Sequence, residues 1–166
     1  MHAIEDGRMN RDITAFPNMF AIIYDMVDDD DKRRIMDSVM LNSDIEPITT
    51  PYMRFYELEA MCRMGYQERV LPEILGYWGG MIGEGATSFW EKYNPADQGA
   101  EHLAMYGRPY GKSLCHAWGA SPIYLIGRYF LGVSPTKPGY AEYEVRPVLG
   151  GLKRIDIQNS RYLNAS

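Results

Sequence analysis

The chain has 166 residues, 46% of them hydrophobic and 23% charged, a globular composition long enough for one ordinary domain. Its net charge of −5 comes without a Lys/Arg stripe, so the basic footprint of a nucleic-acid binder is missing. No run reaches the roughly 18 apolar residues of a membrane span, and the first residues carry no apolar core of signal-peptide length.

Residues 1–13 are polar and unpatterned and read as a tail. Met19, Phe20, Ile22, Ile23 and Met26 recur at helical spacing, which predicts a helix over 18–27 with Pro17 near its start. Four aspartates, Asp28 to Asp31, precede Lys32-Arg33-Arg34, the charge order that suits the front of a second helix reaching about residue 41. Lys32 breaks the Asp-Asp-x-x-Asp spacing of a metal box, so the run reads as a solvated helix start. Thr50-Pro51 announces a third helix, stopped at Gly65, and a fourth is expected over 67–77 despite Pro72. Five glycines between 76 and 85 then predict a loop where backbone approaches something closely. Residues 94–112 form a long irregular stretch whose aromatics favour an ordered loop. Residues 113–131 read as a last helix, kinked at Pro122 and ended by Gly132. Beyond Pro138-Gly139 the period changes to two, predicting strands over 140–147 and 152–157 around a Gly150-Gly151 turn. The two cysteines, Cys62 and Cys115, sit in apolar settings and read as buried free thiols.

Paired helices with short links build α/α toroids. The expected fold is mainly α: a partial (α/α)6 toroid of helical hairpins followed by a short antiparallel β segment. The domain reading is a tail over 1–13, toroid over 14–133 and the start of a β-sandwich over 134–166.

The densest chemical feature is Gly83-Glu84-Gly85-Ala86-Thr87-Ser88-Phe89-Trp90-Glu91. Cleaving a glycosidic bond takes two carboxyl groups and is helped by a ring surface that stacks on the sugar. Trp90 and Glu91 supply one of each, and the chain's 13% aromatic content leaves rings to spare for such a platform. The same spacing also fits a Trp90 that packs a core and a Glu91 that caps a short helix. Glu84 is a candidate second carboxylate, but its glycine neighbours argue against a helix that would fix its distance from Glu91. His2 and His102 lack a second ligand at helical spacing, and Walker, dinucleotide and Gly-x-Ser-x-Gly motifs are missing, so neither a metal nor a cofactor is expected.

Thr50-Pro51-Tyr52-Met53, Tyr77-Trp78-Gly79-Gly80-Met81, Gly85-Ala86-Thr87-Ser88-Phe89-Trp90-Glu91 and Ser113-Leu114-Cys115-His116-Ala117-Trp118-Gly119 follow one another in an order that resembles glycoside hydrolase family 78, the inverting α-L-rhamnosidases. Gly132-Val133, Pro138-Gly139-Tyr140 and Gly150-Gly151-Leu152 resemble that family's passage from barrel to β-sandwich. The resemblance implies Glu91 as general base, His116 as a contact to the sugar, and Trp78, Trp90 and Trp118 as pocket lining. Two residues depart from the pattern: Ser88 stands where the family often has Thr, and Cys115 where many members have Asn. The family's general acid belongs to a segment upstream of the matched residues. The resemblance therefore implies a C-terminal piece of a longer enzyme, inactive alone, whose ligand is a terminal rhamnoside or related glycoside. Its expected protein partners are the rest of the barrel, or further copies of itself joined through exposed apolar faces. A non-catalytic sugar-binding or scaffold relative and a toroid enzyme of another class, such as a lyase, remain as rival readings.

Overall fold

The computed structural model describes residues 4–5, 7–9 and 12–155. Five α-helices lie in chain order: α1 (Ala15–Ile23), α2 (Asp29–Ile35), α3 (Pro51–Arg63), α4 (Gln67–Gly83) and α5 (Ser121–Leu125). Two short hairpins accompany them among the described residues, β1 (Ile4–Glu5) with β2 (Arg8–Met9) and β3 (Val133–Pro135) with β4 (Tyr143–Val145), both antiparallel. The chain is thus mainly α, helical hairpins of a partial toroid followed by a short antiparallel segment.

Helix α3 is the hub, packing against α1, α4 and α5. The apolar spacing of each helix decides which face meets it. Met19 and Ile22 of α1, Leu58 and Ala60 of α3, Val70 and Met81 of α4, and Leu125 of α5 are at most 2% exposed. The helices are also tied by charged groups. Arg54 of α3 reaches Glu73 of α4 at 2.6 Å and pairs with Glu57 one turn along. Glu59 accepts from Arg63 at 3.2 Å and from the Tyr129 hydroxyl at 2.8 Å, while Arg63 donates to the Ile23 carbonyl at 2.9 Å. One α3 carboxylate and one guanidinium therefore link α1, α3 and the segment after α5. Burying such groups without partners would cost several times what the pairs return.

The aspartate run behaves as its charge order predicts. Asp28 caps α2 by accepting from the Asp31 amide at 2.8 Å, and Asp30 and Asp31 pair with Arg33 and Arg34 one turn on. After Ile35 the helix widens through Met36–Met40, closed by a Leu41 amide to Met36 carbonyl bond at 2.9 Å. The chain after α5 widens in the same way over Ile126–Phe130.

Several expectations needed correction. Helix α4 does not stop near residue 77; it continues through Gly76, Gly79 and Gly80 to Gly83. Gly80 owes its place to packing, because a Cβ there would collide with the Tyr93 hydroxyl. Of the five glycines in this stretch only Gly80 marks a close approach, and it does so on a helix and not in a loop; Gly76, Gly79, Gly83 and Gly85 face open space. Residues 113–116 are not helical, and the last helix begins at Ser121 with a tight turn over Ala117–Gly119 before it. The strand partner of Tyr143–Val145 is Val133–Pro135, reached through a turn at Pro138–Tyr140 where Gly139 and Tyr140 both have positive φ. Residues 152–155 do not pair as a strand, and residues 156 and 157 lie outside the described residues. Cys62 is buried but Cys115 is exposed, since the segment that carries it runs along the surface as a loop.

Candidate active site

The loop after α4 and the loop before α5 are stitched together by their backbones. The His116 amide donates to the Phe89 carbonyl at 2.7 Å, and the Glu91 amide donates to the Ser113 carbonyl at 3.0 Å. The Ser88 hydroxyl donates to the Leu114 carbonyl between them. This antiparallel pairing explains why 113–116 leaves the helical path, because its backbone groups are used by the neighbouring loop. Trp78 of α4 anchors the arrangement from below by donating its indole N–H to the Gly119 carbonyl at 2.8 Å. Gly119 has no room for a side chain, since a Cβ would come within 2.8 Å of the Phe89 Cβ.

Glu91 ends up almost wholly buried, 5% exposed, with both oxygens engaged. The Tyr106 hydroxyl donates to Oε1 at 2.6 Å and the Ser113 amide donates to Oε2 at 3.0 Å. His116 Nδ1 stands 4.0 Å from Oε2, an electrostatic neighbour beyond hydrogen-bond reach. The Tyr106 hydrogen bond, then the Ser113 amide and, more weakly, the His116 charge hold the Glu91 carboxyl below its ordinary value, outweighing the opposing effect of burial. Glu91 is thus an ionised carboxylate at neutral pH. In return the Tyr106 phenol is pushed up by its bond to the carboxylate.

Beside Glu91 lies an exposed aromatic row. The His116 ring is 4.1 Å from that of Trp118, and Trp118 stacks on Tyr52 at 5.4 Å with 26° between the planes. Trp118 and Tyr52 are 38% and 40% exposed, so part of each ring remains open to solvent. The site therefore joins one ionised acid, one imidazole and a ring platform.

Of the five residues singled out from the sequence, Glu91, His116 and Trp118 come together here. Trp78 and Trp90 are buried instead, 6% and 5% exposed. Trp78 works as the hydrogen-bonded anchor beneath the platform and borders a cavity of about 250 Å³ with Ala86, Thr87 and Phe89. Trp90 lies under the Lys112 amine, 4.5 Å from its ring, and against Tyr93 and His102. Burial pushes the Lys112 amine down. Glu84 approaches His102 at 3.8 Å. Tyr52 and Tyr106 were not foreseen as site residues. Tyr52 stood inside a quoted motif, but nothing local marked Tyr106 apart from its place before Gly107.

A crystal structure of a family-78 rhamnosidase from Bacillus sp. GL1 superposes on this chain with a TM-score of 0.72 at 27% identity. The fold is family-78-like. The match covers 88% of this chain but 15% of that enzyme, so the chain spans a small part of its neighbour's length. No protein-family model matches the chain, and no curated protein sequence does. Among the described residues no three or more His, Cys, Asp or Glu side chains gather as a metal site would require, and no helix is long and apolar enough to cross a membrane.

Proposed function

We propose that this chain forms the base-bearing wall of an inverting glycoside hydrolase acting on terminal α-L-rhamnosides. The observation that carries the reading is Glu91, a buried ionised carboxylate beside an open aromatic platform, within a family-78-like fold. An ionised carboxylate has about four acceptor positions; Tyr106 and Ser113 fill two, leaving others to orient an attacking water and take its proton. His116 and Trp118 would hold the sugar ring over that water, the imidazole by a polar contact and the indole by stacking. Inversion further needs a protonated carboxyl about 6.5–9.5 Å from the base. The partners of Glu91 are a phenol, an amide and an imidazole, so that acid comes from outside this cluster.

Tyr106 is poorly suited to be the base of the eliminating alternative. A lyase base must give up its proton readily, whereas the bond to Glu91 raises the Tyr106 phenol. The test has two parts. The 166-residue chain alone is expected to leave an aryl α-L-rhamnoside intact while L-rhamnose perturbs the Trp118 indole and His116 ring resonances. Turnover by this chain that disappears in Glu91→Gln would refute the single-carboxyl statement. In a longer protein that carries this sequence together with a general acid, Glu91→Gln should lower kcat by about 10²–10⁴-fold. Unchanged kcat there would remove Glu91 as base.

A further inference from the structure

Tyr106 occupies a backbone position that a tyrosine seldom takes. It has φ +55° and is followed by Gly107 at φ +70°. Met105 and Arg108 exchange both backbone hydrogen bonds, each at 3.0 Å, so Tyr106 and Gly107 form the centre of a two-residue hairpin turn with positive φ at both positions. Asn, Asp or Gly is the ordinary occupant of the first of these positions, because a bulky side chain there is strained. The base of the turn has no freedom to relieve that strain. The Lys112 amide donates to the Leu103 carbonyl at 3.2 Å, and Gly111 lies so close under the Met105 carbonyl that it has no room for a Cβ.

Core packing does not account for the tyrosine, which is 70% exposed. Its specific contact is the 2.6 Å hydrogen bond from its hydroxyl to Oε1 of Glu91, itself 5% exposed. A strained, exposed aromatic residue whose one directed bond reaches a buried acid is an outlier from which a role can be inferred.

We propose that Tyr106 is a positioning residue for Glu91: the strained turn presents its hydroxyl to Oε1 and fixes the carboxylate in the orientation in which its remaining acceptor positions face the aromatic platform. The proposal rests on the reading of Glu91 as the base. The directed contact of Tyr106 is with the acid, so it acts through Glu91. The Ser113 amide fixes the other oxygen from the facing loop, and the His116 imidazole is the remaining titratable group facing the carboxylate. Removing the phenol leaves Oε1 unheld and strips away the foremost stabiliser of the charged form.

The experiment follows the Glu91 side-chain carboxyl carbon by ¹³C NMR as pH is varied in the 166-residue chain. Tyr106→Phe keeps the ring and loses the hydroxyl; Tyr106→Asn loses both but suits the turn. Both variants should show a Glu91 midpoint above that of the parent chain, while Tyr106→Asn melts at the same temperature or higher because the turn relaxes. In parallel, the pH dependence of L-rhamnose binding should move upward with the Glu91 midpoint in Tyr106→Phe, a displacement that a purely structural tyrosine would not produce. An unchanged Glu91 midpoint in both variants overturns the proposal. A raised midpoint with rhamnose binding at every pH but no displacement of its profile also overturns the positioning role. A chain that does not bind rhamnose at any pH instead overturns the base reading, and the carboxyl titration still decides whether Tyr106 holds Glu91.

Discussion

The helical layer and the loop-built site are constructed by different means. Around α3 the work is done by side chains: Leu58, Val70, Met81 and Leu125 are withdrawn from water, and few backbone bonds cross between helices. Between residues 84 and 119 it is done by backbone: amides and carbonyls of one loop satisfy those of the other, and the functional side chains hang from that frame. A layer held by apolar burial is most sensitive to the loss of buried volume or of a partner of its few buried ion pairs. A frame held by directed hydrogen bonds and close approaches responds to a single added methyl group or a single removed hydroxyl.

That contrast can be broken by experiment. The largest stability effect should come from the layer: Leu58→Ala removes a side chain with no exposed surface and should cost about 2–5 kcal/mol in urea unfolding. A loss below about 1 kcal/mol would mean that α3 is not the hub. Gly119→Ala forces a Cβ against Phe89 and should cost about 1–3 kcal/mol, with the Trp118 and His116 resonances shifting while those of α1 stay in place. Equal disturbance of both regions would show that they are not separately built.

The next effect concerns pH. The folded Glu91 carboxyl lies below its ordinary value of 4.5, so the unfolded chain takes up a proton first as pH falls. The stabilisation is therefore whole above about pH 4.5 and is lost as pH drops through the lower folded value. Glu91→Gln should flatten this acid limb of stability, and equal limbs in thermal melts of the two proteins would contradict it. Chemical accessibility should differ as well. Burial pushes the Cys62 thiol up to about 12, whereas Cys115 sits exposed on the site loop. A thiol reagent at pH 8 should modify Cys115 rapidly and Cys62 only on unfolding. Smallest is the outer face of α4, where Leu75 and Ile82 are 64% and 69% exposed. Replacing both with Lys should change stability by no more than about 0.5 kcal/mol per site while lowering self-association in light scattering.

Much of this was legible in the residues themselves. The apolar spacing of 19–23, the Asp28 cap, the Thr50-Pro51 start and the Gly65 stop placed α1 to α3 within a few residues, because helix faces and caps are local properties. The motif ending in Trp90-Glu91 and the one holding His116 and Trp118 were also visible as strings. Three things were decided only by tertiary structure. Helix α4 runs on through its glycines, and Gly80 is required there because Tyr93, thirteen residues later, occupies the space a side chain would need. Residues 113–116 give up helix because the loop over 88–91 takes their backbone hydrogen bonds, so Trp90 goes to the interior and Trp118 to the platform. Tyr106 reaches Glu91 across fifteen positions through a turn whose strain no spacing in the sequence records. Periodicity reports which face of an element is apolar, whereas the meeting of two loops depends on satisfying backbone groups far apart in the chain, and only the folded molecule brings those together.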